Sequence, residues 1–296
     1  MVFLIADAFD ASLPGKLAEF GEVTTDSSRL AEADVVLVRS KTKCTKDYID
    51  SAPNLKLIIR GGVGIDNIDS SYASQKGIIV RNTPKSSAIA VAELAFALMI
   101  SVPNQIIAGH NGMREGSWLK KQIKRTELYG KRLCLLGIGN IASKVAERAA
   151  AFGMEVVAYD KYVSESPVAA MQPSVEDAVR DADYISMHLP LTDETRGMVN
   201  EALINVCTRK PVIINTGRGD CVDAEAMVAA LKDGRVSWYA TDVWPNDPPA
   251  DDYPILSAPN VTMTPHIGAS SKENLLRIGE EASAIIRELL DEGALK

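Results

Sequence analysis

Cysteine is scarce in this chain of 296 residues: Cys44, Cys134, Cys207 and Cys221 stand far apart, with no C-x-x-C pair among them. Neither a disulfide framework nor a zinc site or other metal site is expected from such spacing, and a reducing compartment is. Positive charge is also in deficit. The balance of 32 Lys and Arg against 39 Asp and Glu leaves a net charge of -7, which argues against nucleic acid or an anionic membrane as a partner, since both call for a broad basic surface. A small anionic substrate is not excluded, because a pocket needs only a few local cations. Long apolar runs are missing: the longest, at 94–100, is far short of the roughly 18 residues that span a bilayer. The first ten residues hold no basic leader, and Asp7 and Asp10 interrupt their apolar pattern. No signal peptide is expected, and the cytoplasm is the expected location. Low-complexity segments and short-period repeats are absent.

What is present is alternation. Length alone favours two domains over one core. Short β-branched runs at 2–5, 35–38, 57–59 and 78–80 read as buried strands, with candidate helices at 13–20 and 70–75 between them. A long Ala- and Leu-rich helix over 87–108 follows, which Pro103 should kink or divide. A second series places strands at 133–136, 156–159, 184–187, 212–215, 239–241 and 261–263, linked by helices at 141–152, 175–179, 201–206 and 224–232. The last helix, 271–290, has no strand after it. The expected architecture is α/β: two doubly wound parallel-sheet domains. A Rossmann domain over 100–270 is inserted in a flavodoxin-like domain made of 1–99 and 271–296.

The sharpest local feature is L-G-I-G-N-I-A at 136–142, between a strand and a helix. Gly137 permits the tight turn and Gly139 lets the backbone approach a pyrophosphate. Asn140 and Ile141 open a helix whose N-terminus attracts phosphate, and Ala142 keeps that helix close to the strand. The next strand ends at Asp160, whose carboxylate suits ribose hydroxyls and repels a 2′-phosphate. NAD is therefore expected over NADP, with Lys161 beside the acid softening the preference.

Three polar clusters each follow a strand, where open α/β sheets place ligands: I-N-T-G-R-G-D at 214–220, T-D-V-W-P-N-D-P-P at 241–249 and T-P-H-I-G-A-S at 264–270. They supply an arginine, acids and a histidine, the groups that reduction of a 2-keto acid needs. Among the three histidines, His188 at another strand end reads as structural or as support for the cofactor groove, and His110 as a solvated or subunit-contact residue. Trp118, Trp238 and Trp244 read as core or interface anchors.

With these clusters, G-G-V-G-I-D-N-I-D at 61–69, N-T-P at 82–84, A-V-A-E at 90–93 and H-L-P-L-T-D-E-T-R-G at 188–197, the chain resembles the D-2-hydroxyacid dehydrogenase family over nearly its whole length. The resemblance implies that Arg218 binds and polarises the 2-oxo group and that His266 is the general acid or base. It implies further that Asp247 orients the histidine and that Gly62, Val63 and Gly64 hold the substrate carboxylate. Asp242 would meet the nicotinamide carboxamide, with Leu189, Thr216, Gly217 and Gly268 lining the cofactor pocket. Asp247 departs from the family's usual glutamate and is shorter by one methylene, roughly 1.5 Å of reach. Either its loop sits closer to His266, or the coupling is weaker, or the role moves to Asp251 or Asp252. Gly217 and Asp220 also depart from the commoner alanine and glycine.

Within the family, V-R-S-K-T-K at 38–43, I-I-R-G-G-V-G-I-D-N at 58–67 and W-L-K-K at 118–121 are similar to enzymes acting on 3-phosphoglycerate and 3-phosphohydroxypyruvate in serine biosynthesis. That similarity implies a phosphate held by Arg39, Arg60 and Lys120 of the partner subunit in a homodimer, and a short form without the C-terminal serine-sensing domain. Strand-end capping is the competing reading for Arg39 and Arg60. A glyoxylate, hydroxypyruvate or D-lactate reductase is the alternative within the family. The alternative of another class is an NAD(H)-gated, corepressor-like interaction module.

Overall fold

In the computed structural model, which describes residues 1–295, the chain divides into two compact units. Unit 1 takes Met1–Ala90 and the return segment from Ala269; unit 2 takes Val91–Gly268. The first division falls within helix α4 (Ala88–Asn104), and the expected bound at residue 99 lies further along the same helix. Lys296, the end of the expected return segment, lies outside the described residues.

Unit 1 is a five-stranded sheet of β1 (Val2–Ile5), β2 (Glu22–Thr24), β3 (Val35–Val38), β4 (Leu57–Arg60) and β5 (Ile79–Asn82), in the order β2-β1-β3-β4-β5. Every pairing is parallel, and this is the flavodoxin-like order, with its switch point between β1 and β3. The runs of β1 and β3 are apolar without a break because both faces are covered. Phe3, Ile5, Val35, Leu37, Leu57 and Ile59 point into one core, and Leu4, Val36, Val38 and Ile58 into the other, as the two-residue period of a strand requires. Helices α1 (Leu13–Leu17), α2 (Lys46–Asp50) and α3 (Ser70–Gln75) connect the strands. Helix α1 stops short of the expected residue 20.

Unit 2 carries seven strands: β6 (Arg132–Leu136), β7 (Glu155–Tyr159), β8 (Ala170–Met171), β9 (Tyr184–Met187), β10 (Val212–Asn215), β11 (Trp238–Thr241) and β12 (Val261–Met263). Their order, β12-β11-β10-β9-β6-β7-β8, is the Rossmann winding extended by one strand, with the reversal between β6 and β9. Helices α6 (Asn140–Ala151), α7 (Val175–Val179), α8 (Glu201–Val206) and α9 (Ala224–Asp233) connect them. The edge strands β2 and β8 were not expected from sequence; E-V-T and A-M are too short to show a period.

The long apolar segment forms two helices, α4 (Ala88–Asn104) and α5 (Ile106–Arg114), bent by 63°. The break falls at Gln105, which adopts a left-handed conformation at φ 49°, two residues past Pro103. Most of α4 is buried through Phe96, Met99 and Val102 in a core shared with β6 and α6. No single helix among the described residues is long and apolar enough to cross a membrane. Helix α10 (Lys272–Asp291), capped by Ser271, returns to unit 1 and packs Ala282, Ile286 and Leu289 against Phe3, Leu13 and Val35.

Candidate active site

Between β6 and α6 the chain turns at Gly137, whose φ of 87° and 2.9 Å approach of a built Cβ to the His188 carbonyl oxygen leave room only for glycine. Gly139 precedes α6 without a side-chain cap, with open space where its Cβ would stand. Asn140 is exposed beside it. The first N–H groups of this 12-residue helix, through Asn140 and Ile141, thus face outward unclaimed by any side chain, which suits a pyrophosphate. Asp160 accepts from Ile138 N at 3.0 Å and from Tyr162 N at 2.8 Å. Its carboxylate braces the glycine turn and keeps lone pairs for ribose hydroxyls. Thr216 Oγ1 is buried with no partner among the described residues. A built Cβ at Gly217 would stand 3.2 Å from the carbonyl oxygens of Met187 and Leu189, so glycine lets these turns close up. An uncapped helix start, a carboxylate one strand over and an orphaned hydroxyl fit a dinucleotide.

His188 Nε2 lies 2.9 Å from Ser186 Oγ, a contact that suits the structural or supporting role expected of it. The residue keeps some accessible surface, yet Nδ1 is buried without a partner among the described residues, and burial pushes the ring's pKa down to about 4. The imidazole is neutral at pH 7.

Arg218 leaves β10 on a turn that sequence reasoning did not explain. Asn215, fully buried, accepts from Gly217 N at 3.0 Å and donates to the Arg218 carbonyl at 2.9 Å and to Tyr239 Oη at 3.2 Å. Arg218 in turn donates from Nη1 to the Gly217 carbonyl at 2.7 Å. A polar residue ending the apolar run V-I-I-N was the available signal.

His266 sits at φ 55°, a conformation that costs a residue with a Cβ about 1–3 kcal/mol. Asp242, 2% exposed, holds the loop there. Its Oδ1 accepts from Thr264 Oγ1 at 2.6 Å and Ile267 N at 2.8 Å, and its Oδ2 from Gly268 N at 2.8 Å. The carboxylate expected to meet a nicotinamide carboxamide accepts from three donors of its own chain and keeps acceptor capacity beside them. Trp244 Nε1 adds a bond to the Thr264 carbonyl at 3.2 Å.

Asp247 Oδ2 lies 2.5 Å from His266 Nδ1. Asp247 thus reaches His266 despite the missing methylene. A proton on Nδ1 would let the ring donate to this carboxylate and leave Nε2 outside the contact. Arg218 and His266 follow β10 and β12, which flank β11 in one sheet. Strand spacing of roughly 4.8 Å sets their roots about 10 Å apart.

In unit 1, Arg39 stands at the end of β3, beside the switch point. Its guanidinium donates to the Ala8 carbonyl at 3.4 Å and the Ala269 carbonyl at 3.1 Å, and desolvation lowers its pKa. Arg60, half-buried at the end of β4, lays its guanidinium over Gly62. A built Cβ there would fall 1.5 Å from Arg60 Nη1, and φ at Gly62 is +145°. Thr83 N donates to the Gly62 carbonyl and Asn82 Nδ2 to that of Val63, which fixes the Gly62-Val63-Gly64 segment. Lys120 is exposed on a short turn after Trp118, itself 72% exposed; Trp238 and Trp244 are half-buried in unit 2.

Residues 96–268 match the family described as D-isomer specific 2-hydroxyacid dehydrogenase, NAD binding domain. A hydroxypyruvate reductase of Thermotoga maritima is 43% identical over 88% of this chain and 86% of its own length. A D-3-phosphoglycerate dehydrogenase of Methanocaldococcus jannaschii is 38% identical over 97% of this chain but 57% of its own; the chain spans little more than half of such relatives. The crystal structure of an Aquifex aeolicus D-lactate dehydrogenase complexed with NAD and lactic acid superposes with a TM-score of 0.87 at 27% identity, covering 100% of this chain and 96% of that one.

Proposed function

The chain belongs to the D-isomer specific 2-hydroxyacid dehydrogenases, NAD-dependent oxidoreductases, and from that premise we propose that it interconverts 3-phosphoglycerate and 3-phosphohydroxypyruvate. The observation that carries the chemistry is the His266–Asp247 pair on a loop clamped by Asp242. Bound NADH supplies the hydride. His266 Nε2 donates the proton that the reduced carbonyl oxygen requires and takes it back in alcohol oxidation. Asp247 holds the tautomer and offsets the imidazolium charge. Arg218 draws electron density from the 2-oxo group. Gly137, Gly139, Asn140, Ile141, Asp160, Leu189, Thr216, Gly217, Asp242 and Gly268 would hold the dinucleotide, and Gly62, Val63 and Gly64 the substrate carboxylate.

Arg39 and Arg60 support the phosphorylated substrate, since a forked guanidinium matches a phosphate. A second reading, reduction of hydroxypyruvate itself, has its own support. Both donating nitrogens of Arg39 are turned to backbone carbonyls, and a relative at 43% identity carries that name. We also read Ile106, Ile107, Met113 and Trp118, each half or more exposed, as the face for a second copy that brings Lys120. A cytoplasmic setting goes with the four free cysteines.

Absorbance at the NADH band, with phosphohydroxypyruvate, hydroxypyruvate, glyoxylate and pyruvate, tests the assignment. Arg39→Ala with Arg60→Ala should raise KM for phosphohydroxypyruvate at least tenfold more than for hydroxypyruvate, the worth of about 1.4 kcal/mol of charge-assisted bonding. Equal effects on both would remove the phosphate site and leave the reductase.

A further inference from the structure

The adenosine end of the nucleotide groove holds an ion pair that the mechanism leaves unused. Lys161 follows Asp160 directly, and its Nζ lies 2.5 and 2.6 Å from the two carboxylate oxygens of Glu194. Glu194 belongs to the loop after β9, whereas Lys161 follows β7, and β6 with its glycine turn lies between those strands. The pair therefore joins the two loops that flank the turn at the topological switch point.

Glu194 is presented by a built turn rather than a loose segment. Thr195, 8% exposed, donates from Oγ1 to the Pro190 carbonyl at 2.7 Å and accepts from Thr192 N at 2.8 Å. Arg196 N closes on the Thr192 carbonyl at 2.9 Å. On the other side, Asp160 is fixed by its bonds to Ile138 N and Tyr162 N. A phosphate on the ribose 2′ position would need a cation beside Asp160, and the adjoining cation is Lys161. With its ammonium forked onto Glu194, the group Asp160, Lys161 and Glu194 carries one excess negative charge. Without Glu194 it carries none.

Resting on the NAD reading above, we propose that Glu194 is a specificity-determining residue for the dinucleotide: it holds Lys161 away from a 2′-phosphate, so that Asp160 and Glu194 together select NAD over its 2′-phosphorylated counterpart. Both side chains of the pair are more than half exposed. The effect belongs to the range of surface ion pairs, and it weakens with salt.

The test uses the whole chain and two fragments, adenosine 2′,5′-bisphosphate and 5′-AMP, titrated by calorimetry at low and high salt. Glu194→Gln should tighten the bisphosphate relative to 5′-AMP by about twofold to fivefold, with the gain shrinking at high salt. Glu194→Ala should do the same. Adding Lys161→Ala to either variant should abolish the gain, and the NADPH-to-NADH ratio of kcat/KM with hydroxypyruvate should follow the same order. An unchanged affinity ratio in both Glu194 variants would overturn the proposal, and so would a gain that survives loss of Lys161. Because fragment binding needs no substrate, a wrong substrate assignment leaves this outcome readable.

Discussion

A histidine that passes a proton works only if its second ring nitrogen is held, and His266 is held by a carboxylate at 2.5 Å. His266→Ala should lower turnover by roughly 10²–10⁴ while NADH affinity changes little, as stopped-flow turnover and fluorescence titration would read; full activity would discard the mechanism. His188 offers a test of a different kind. Its ring in the folded chain has a pKa near 4 because burial disfavours the charged form, against an ordinary 6.5 in the unfolded chain. Between those values the unfolded state binds more protons, so stability rises with pH. The contribution is present in full above pH 6.5 and is lost as pH falls through 4. His188→Gln should flatten the acid side of the Tm profile by on the order of 1–3 kcal/mol across that window; parallel profiles would show that another group sets the slope. The candidates themselves were legible wherever a motif carried them, as at Gly137, Arg218 and His266. Their supports were not. Nothing in sequence spacing links Asn215 to the Arg218 carbonyl or Ser186 to His188, because those bonds depend on side-chain direction at strand ends.

Elements behave differently. A strand such as V-V-L-V announces itself, being four β-branched or aliphatic residues buried on both faces. Edge strands of two or three residues do not, since they bury little and show no period. The loop from β12 to α10 has no regular pattern at all, and its shape is decided by Asp242 from the end of β11. Asp242→Ala should release Thr264, Ile267 and Gly268 together and cut kcat by about 10²-fold, the scale of a misplacement near 1 Å. The fall in kcat should exceed any loss of NADH affinity measured by titration. If affinity falls as much as kcat, the carboxylate serves the cofactor rather than the loop. Helix α4 teaches a related point. Pro103 marked a break in the apolar segment, but the backbone absorbs it at Gln105, where a polar side chain reaches the Lys124 carbonyl at 3.1 Å.

At the scale of the molecule, the chain leaves unit 1 through α4 and returns with α10, so unit 1 depends on residues nearly 300 positions apart. Ile286 is fully buried against the strands of unit 1, and Ile286→Ala should cost about 2–5 kcal/mol, seen as a lower urea midpoint. The exposed neighbour Ala284→Ser should move it by less than about 0.5 kcal/mol. Equal shifts would mean that α10 is not anchored as described.

By itself the sequence determined the class of fold, because continuous apolar runs alternating with amphipathic helices have no other way to bury both faces of their strands. It also offered the nucleotide turn and, through the family resemblance, the candidates for the chemistry: a histidine and an arginine just past strand ends. Tertiary structure alone decided that Asp247 reaches His266, that Asp242 bonds to the loop after β12, and that Lys161 pairs with Glu194. Each of these is a contact between loops after different strands. Only the order and register of those strands set the distance.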